Sequence, residues 1–141
     1  MRILIIEDDP EREQTLREWT PSDVRVVVAS SAGRAIGILN RDRGRVYSGI
    51  VLDHDLDQRA VNAEDLKLCG RDILSSLCRN VSRDVPILVH SMNAARAPVM
   101  VAALEKTGFC VERIPMDQLA EDSFNNWLGY VREVSQENDI E

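Results

Sequence analysis

Aromatic residues make up only 4% of this 141-residue chain, so its core must be built from aliphatic side chains. Histidine occurs twice and cysteine three times. Cys69, Cys78 and Cys110 are odd in number and show no CxxC or other ligand spacing. That argues against a disulfide framework or a structural zinc site and leaves free thiols. No run approaches the roughly 18 consecutive apolar residues of a membrane span, and the amino terminus has the pattern of a strand, not of a signal peptide. A cytoplasmic location is the expectation. Positive charge is outweighed, 17 Lys and Arg against 24 Asp and Glu, for a formal net charge of -7. This argues against a broad electrostatic footprint on nucleic acid. There are no repeats, no low-complexity segments and no interdomain linker. What is present, 44% hydrophobic and 29% charged residues, describes one globular domain with a single core. It is expected to span residues 1–134, with 135–141 as a frayed acidic tail.

The chain alternates between short apolar runs and amphipathic segments. Arg2–Ile6 is a β-branched run that ends on Glu7, Asp8 and Asp9. Asp9 and Pro10 have the cap and first-turn chemistry of a helix start, and that helix stops before Pro21. Val24–Ala29 forms a second run. Ser30 or Ser31 then caps a helix carrying Ala32, Ala35, Ile36 and Leu39. Ile50, Val51 and Leu52 open without a break onto Asp53, His54, Asp55 and Asp57. A further helix is expected over Asp72–Val81 and a fourth strand over Pro86–Val89, which leads into His90, Ser91, Met92 and Asn93. A helix from about Ala95–Pro98 should end at Gly108. Phe109–Ile114 is the fifth strand, and Asp117 is the expected cap of a last helix carrying Phe124, Trp127, Leu128 and Val131.

Unbroken apolar runs fit strands buried on both faces, and five strand–helix alternations imply a parallel sheet covered by helices. The expected fold is α/β, a three-layer αβα sandwich with a flavodoxin-like five-stranded sheet in the order 2-1-3-4-5. In that order the exits of the first and third strands are neighbours. Glu7 and Asp8 would then meet Asp53, with His90 and Ser91 flanking them. Carboxylates crowded at one edge need a cation or protons to neutralise them. An all-oxygen set suits Mg²⁺ or Mn²⁺, with one coordination position left for a phosphate. A carboxylate beside such an ion can accept a phosphoryl group. Arg59, Arg71 and Arg96 are candidates to reach an anion over the pocket, although solvated surface charge is the plainer assignment.

The run Ile-Leu-Ile-Ile-Glu7-Asp8-Asp9-Pro10, with Asp53 ending the third strand and Ser91 after the fourth, resembles a response-regulator receiver domain of the CheY-like type. The resemblance spans roughly residues 1–134. It implies that Asp53 is the phosphoacceptor in a phosphorelay and that Glu7, Asp8 and the Asp55 carbonyl hold Mg²⁺. It also implies that Ser91 hydrogen-bonds a phosphoryl oxygen, and that a histidine kinase or other phosphodonor is the partner. Receiver-type domains often form homodimers through the face around their fourth and fifth helices. No effector or DNA-binding domain is visible in this sequence, so the output would be a protein contact.

Two departures stand out. Receivers usually carry a lysine just before the proline after the fifth strand, where this chain has Ile114 before Pro115. The adjacent Arg113 is expected to point to the opposite face by strand alternation. The loop from Asp53 to Gly70 is also longer than usual. In exchange, Leu-Asp-His-Asp-Leu and His-Ser-x-Asn resemble the subgroup of cyclic-phosphate-processing receiver domains, which implies a cyclic phosphate substrate. Opening such a ester needs a base, an acid and a clamp on the phosphoryl oxygens. His54 and His90 are candidates for the first two roles, and Ser91 and Asn93 for hydrogen-bond donors. Two functions therefore stand side by side: a Mg²⁺-dependent phosphohydrolase or cyclic phosphodiesterase, and a stand-alone receiver phosphorylated on Asp53.

Overall fold

Each apolar run of the sequence forms a strand. A computed structural model of the chain describes residues 1–53, 70–91 and 97–140. The elements follow as β1 (Arg2–Ile6), α1 (Pro10–Trp19), β2 (Arg25–Ala29), α2 (Ala32–Arg41), β3 (Gly49–Asp53) and α3 (Gly70–Asn80), then β4 (Ile87–Ser91), α4 (Ala97–Lys106), β5 (Val111–Pro115) and α5 (Glu121–Ile140). The strands form one parallel sheet in the order β2-β1-β3-β4-β5, as expected. His54, Asp55, Asn93, Arg59 and Arg96 lie outside the described residues.

Alternation along the strands divides the core in two. Leu4, Ile6, Ile50, Leu52, Ile87 and Val89 pack against α2, α3 and α4 through residues such as Leu39, Leu77 and Leu104. Ile3, Ile5, Val51, Leu88 and Ile114 pack on the other side against Leu16 of α1 and Phe124, Trp127, Leu128 and Val131 of α5. Both faces of the central strands are covered, which explains why their sequences show no polar alternation.

Local chemistry sets the helix ends. The Asp9 carboxylate accepts the Glu11 N–H at 3.0 Å, and Pro10 occupies the first turn. Ser31, not Ser30, caps α2 and accepts the Arg34 N–H at 3.2 Å. Gly108 follows α4 at φ +103°, a conformation that L side chains rarely adopt. The start of α5 differs from the sequence expectation. Asp117 falls within a 3₁₀ turn, Met116–Gln118, and the helix begins at Glu121. The hydroxyl of Ser123 reaches back to accept the Ala120 N–H at 2.9 Å, so the third helical residue performs the capping. The helix runs on to Ile140, through most of the stretch expected as a frayed tail.

Gly49 opens β3 beneath α5. A Cβ there would stand 3.0 Å from Cη2 of Trp127 and 3.1 and 3.2 Å from the methyl groups of Val131. Gly49→Val is therefore expected to destabilise the protein by about 1–3 kcal/mol through overpacking. The exposed Gly37, within α2, has nothing within 4 Å of an added Cβ. Gly37→Ala should stabilise by about 0.5–1 kcal/mol. Urea midpoints of the two variants, moving in opposite directions, check the pair.

Candidate functional site

Register decides which side chains meet at the carboxyl edge of the sheet. Asp53, the last residue of β3, pairs directly with His90 of β4, so both lie on the same face. Ile6 pairs with Leu52, and Glu7 follows β1 onto the side occupied by Ile3 and Ile5. Glu7, Asp53 and His90 thus share the α1–α5 side. Their relative exposures are 0%, 1% and 0%, so this cluster belongs to the interior. One donor atom from each lies within 4.8 Å of those of the other two.

Charge in this cluster is unevenly balanced. Burial, followed by a hydrogen bond with Asp53 and the charge of Asp53, pushes the Glu7 carboxyl up to about 10. Arg12 of α1 opposes that rise. Its Nε forms an ion pair with Oε1 of Glu7 at 2.9 Å, and a second guanidinium nitrogen donates to the Asp9 carboxylate at 3.2 Å. Burial alone would lower the pKa of the Arg12 guanidinium, but the charges of Glu7 and Asp53 hold it above its ordinary value. The other oxygen of Glu7, Oε2, faces Nε2 of His90 at 3.8 Å, too long for a hydrogen bond.

Of the expected site residues, the fold gathers Glu7, Asp53 and His90. Asp8 is half-buried and adds its charge to Glu7, but it is not one of the three whose donor atoms converge. The backbone of Ser91 ends β4 opposite Pro115. Ile114 packs into the α1–α5 core, where it is paired with His90 across the strands. Alternation therefore directs Arg113 to the α4 side, as expected, and β5 brings no cation to the carboxylates. Arg12 was missed in the sequence. The signal for it was its place in the first turn of α1, three residues beyond Asp9, on a helix that starts at the acidic exit of β1.

The strand order and the acid groups at the sheet edge define a receiver-type domain, the fold of response regulators. Solved structures agree. The chain is similar to a CheY-like response regulator receiver domain from Methanospirillum hungatei JF-1 at 14% identity and TM-score 0.70, with 96% of this chain and 97% of that chain covered. It is also similar to a response regulator receiver protein from Pseudoalteromonas atlantica, at 15% identity, TM-score 0.67 and coverages of 96% and 99%. The response regulator domain of Thermotoga maritima CheB matches at 14% identity, TM-score 0.64 and 95% coverage of each chain. At such identities the likeness speaks for the fold. Within that class the sequence is more specific: residues 2–106 match the cyclic-phosphate processing receiver domain, and the chain belongs to that family. No curated protein matches. Among the described residues, no helix is long and apolar enough to cross a membrane.

Proposed function

We propose that the acid cluster at the sheet edge binds a divalent cation together with a phosphate ester, and that the protein opens cyclic phosphates. One observation carries this reading: Glu7, Asp53 and His90 converge in the interior of a chain whose family is described as processing cyclic phosphates. Buried carboxylates are tolerated when a cation or a shared proton compensates them. The donor set fits a cation: two carboxylates and an imidazole from three adjacent strand ends. A divalent cation bound there would draw charge from the phosphoryl oxygens.

The chain's own residues then divide the remaining work. Asp53 and Glu7 hold the cation, joined by Asp8 and by the carbonyl of Asp55. Arg12 stands beside Glu7 and supplies the positive charge that β5 lacks, since Ile114 occupies the lysine position. Ser91 and Asn93 are the hydrogen-bond donors to the ester. In ring opening, a water oxygen bonds to phosphorus, one of the two ring P–O bonds breaks, and the departing oxygen takes up a proton. His54 is the group assigned to that proton traffic. His90 has no exposed surface and faces Glu7 at 3.8 Å, which suits holding the centre better than touching substrate.

The test is incubation of the protein with Mg²⁺ or Mn²⁺ and a 2′,3′-cyclic nucleotide, followed by ³¹P NMR. Ring opening to a monoester is expected, reduced about 10²-fold or more in Asp53→Asn. A folded wild-type protein that leaves the ring intact would overturn the reading. The second reading, phosphorylation of Asp53, is favoured by its position at the end of β3 in a response-regulator fold. Incubation with acetyl phosphate distinguishes it: a phosphoprotein that is absent in Asp53→Asn supports signalling.

A further inference from the structure

We infer that His90 is itself a metal ligand, so that the centre selects a borderline transition ion such as Mn²⁺, Fe²⁺ or Zn²⁺ over Mg²⁺. The inference rests on the cation-binding reading above and makes it specific. It starts from the placement of an imidazole in the interior beside two carboxylates. His90 sits near the carboxyl end of β4, between β3 and β5, with no exposed surface. Two residues earlier on the same face is Leu88, and its cross-strand neighbour on β5 is Ile114. An aliphatic residue would fill the same volume, whereas the imidazole sets ring nitrogens beside two carboxylates.

The imidazole is directed at the carboxylates. Nε2 of His90 faces Oε2 of Glu7 at 3.8 Å, while Oε1 of Glu7 is occupied by Arg12. Glu7 thus has one oxygen fixed by a guanidinium and the other turned toward the nitrogen. Donors held about 2.0–2.2 Å from one ion stand at most about 4.4 Å apart. The separation of 3.8 Å falls within that span. The full three-residue cluster lies within 4.8 Å, a span that a bound ion would draw closer.

Ligand chemistry then decides which ion. Mg²⁺ demands oxygen donors and retains several waters. Imidazole is a borderline donor that suits the later divalent ions, and affinity for a mixed nitrogen and oxygen set rises from Mn²⁺ toward Zn²⁺. Replacing one oxygen donor by a nitrogen moves the preference away from Mg²⁺. Asp53 lies directly across from His90, so the same ion would touch the residue that the acid cluster centres on. The alternative is a purely structural pair in which His90 merely packs against Glu7.

Titration of the whole protein with Mg²⁺, Mn²⁺ and Zn²⁺ by calorimetry, with pulsed EPR on the Mn²⁺ form, tests the assignment. Wild type is expected to show coupling of Mn²⁺ to an imidazole nitrogen. His90→Asn should lose that coupling, and its ratio of Mn²⁺ to Mg²⁺ affinity should fall tenfold or more. If His90→Asn does not fold, His54→Asn decides: a nitrogen coupling that persists in it belongs to His90, and one that vanishes overturns the inference. Tight binding of both ions without nitrogen coupling would overturn the inference and leave the oxygen site standing. Absence of any cation uptake would overturn both.

Discussion

Replacing Glu7 by glutamine is expected to raise the thermal midpoint of the metal-free protein at pH 8 and to flatten its dependence on pH. The Glu7 carboxyl, ordinarily near 4.5, is pushed up to about 10, chiefly by burial and then by Asp53. The folded state therefore keeps a proton that the unfolded chain releases above about 4.5. Stability from this group is fully present below that pH and is lost progressively as pH rises toward 10. Each unit of separation is worth about 1.4 kcal/mol, so even two units amount to about 2.7 kcal/mol. Glutamine keeps an oxygen for Arg12 and cannot ionise, which removes the penalty. Thermal scans of both proteins in chelator, from pH 5 to 9, are the measurement. A glutamine variant with the same slope as wild type would contradict the electrostatic account. Divalent cation added to wild type should flatten the slope in the same direction, because it binds the ionised form.

Trp127→Ala is expected to cost about 3–5 kcal/mol, the largest loss from any single truncation in the α1–α5 core. Trp127 is 1% exposed, lies against the Cα of Gly49 and tilts against Phe124 with ring centroids 6.3 Å apart. Phe124 in turn meets Trp19 of α1 at 6.1 Å. The three rings form the only aromatic line among the described residues in a core otherwise made of aliphatic groups. Removing Trp127, the end of that line nearest the sheet, leaves a cavity bounded by a glycine and a rigid strand, which cannot close over it. Chemical denaturation should show a lower midpoint with little change in slope. A loss below about 1 kcal/mol would mean that α5 repacks freely. Because Trp127 lies at the start of β3 and Asp53 at its end, cation uptake by the residual folded protein should be unchanged.

The sheet and its strand order were legible because buried parallel strands leave a plain mark, an apolar run followed at once by polar residues. The caps at Asp9 and Ser31 were legible because they act within three residues. The start of α5 was not, because Asp117 looks like a cap and the true one is Ser123 reaching backward to Ala120. The acid cluster could be anticipated from topology, but the orientation of His90 could not be settled within its own strand. Val-His-Ser does not say which face the imidazole takes; the pairing of Asp53 with His90 does. Arg12 was hidden for a related reason. Its role depends on where α1 lies over the exit of β1, and a charged helix gives no hint of which of its charges turns inward.

The neutral end of β5 has an evolutionary corollary. Glu7, Asp8, Arg12, Asp53 and His90 all fall within residues 2–106, whereas the final strand and helix supply Ile114, Phe124, Trp127 and Val131 to the same side of the sheet. The charged cluster thus lies wholly in the matched portion, while the remainder adds only apolar groups to that side of the core. The last quarter is expected to tolerate exchange among apolar residues of similar size without altering the charged cluster. A lysine arising at 114 would place a second cation beside carboxylates that Arg12 already serves.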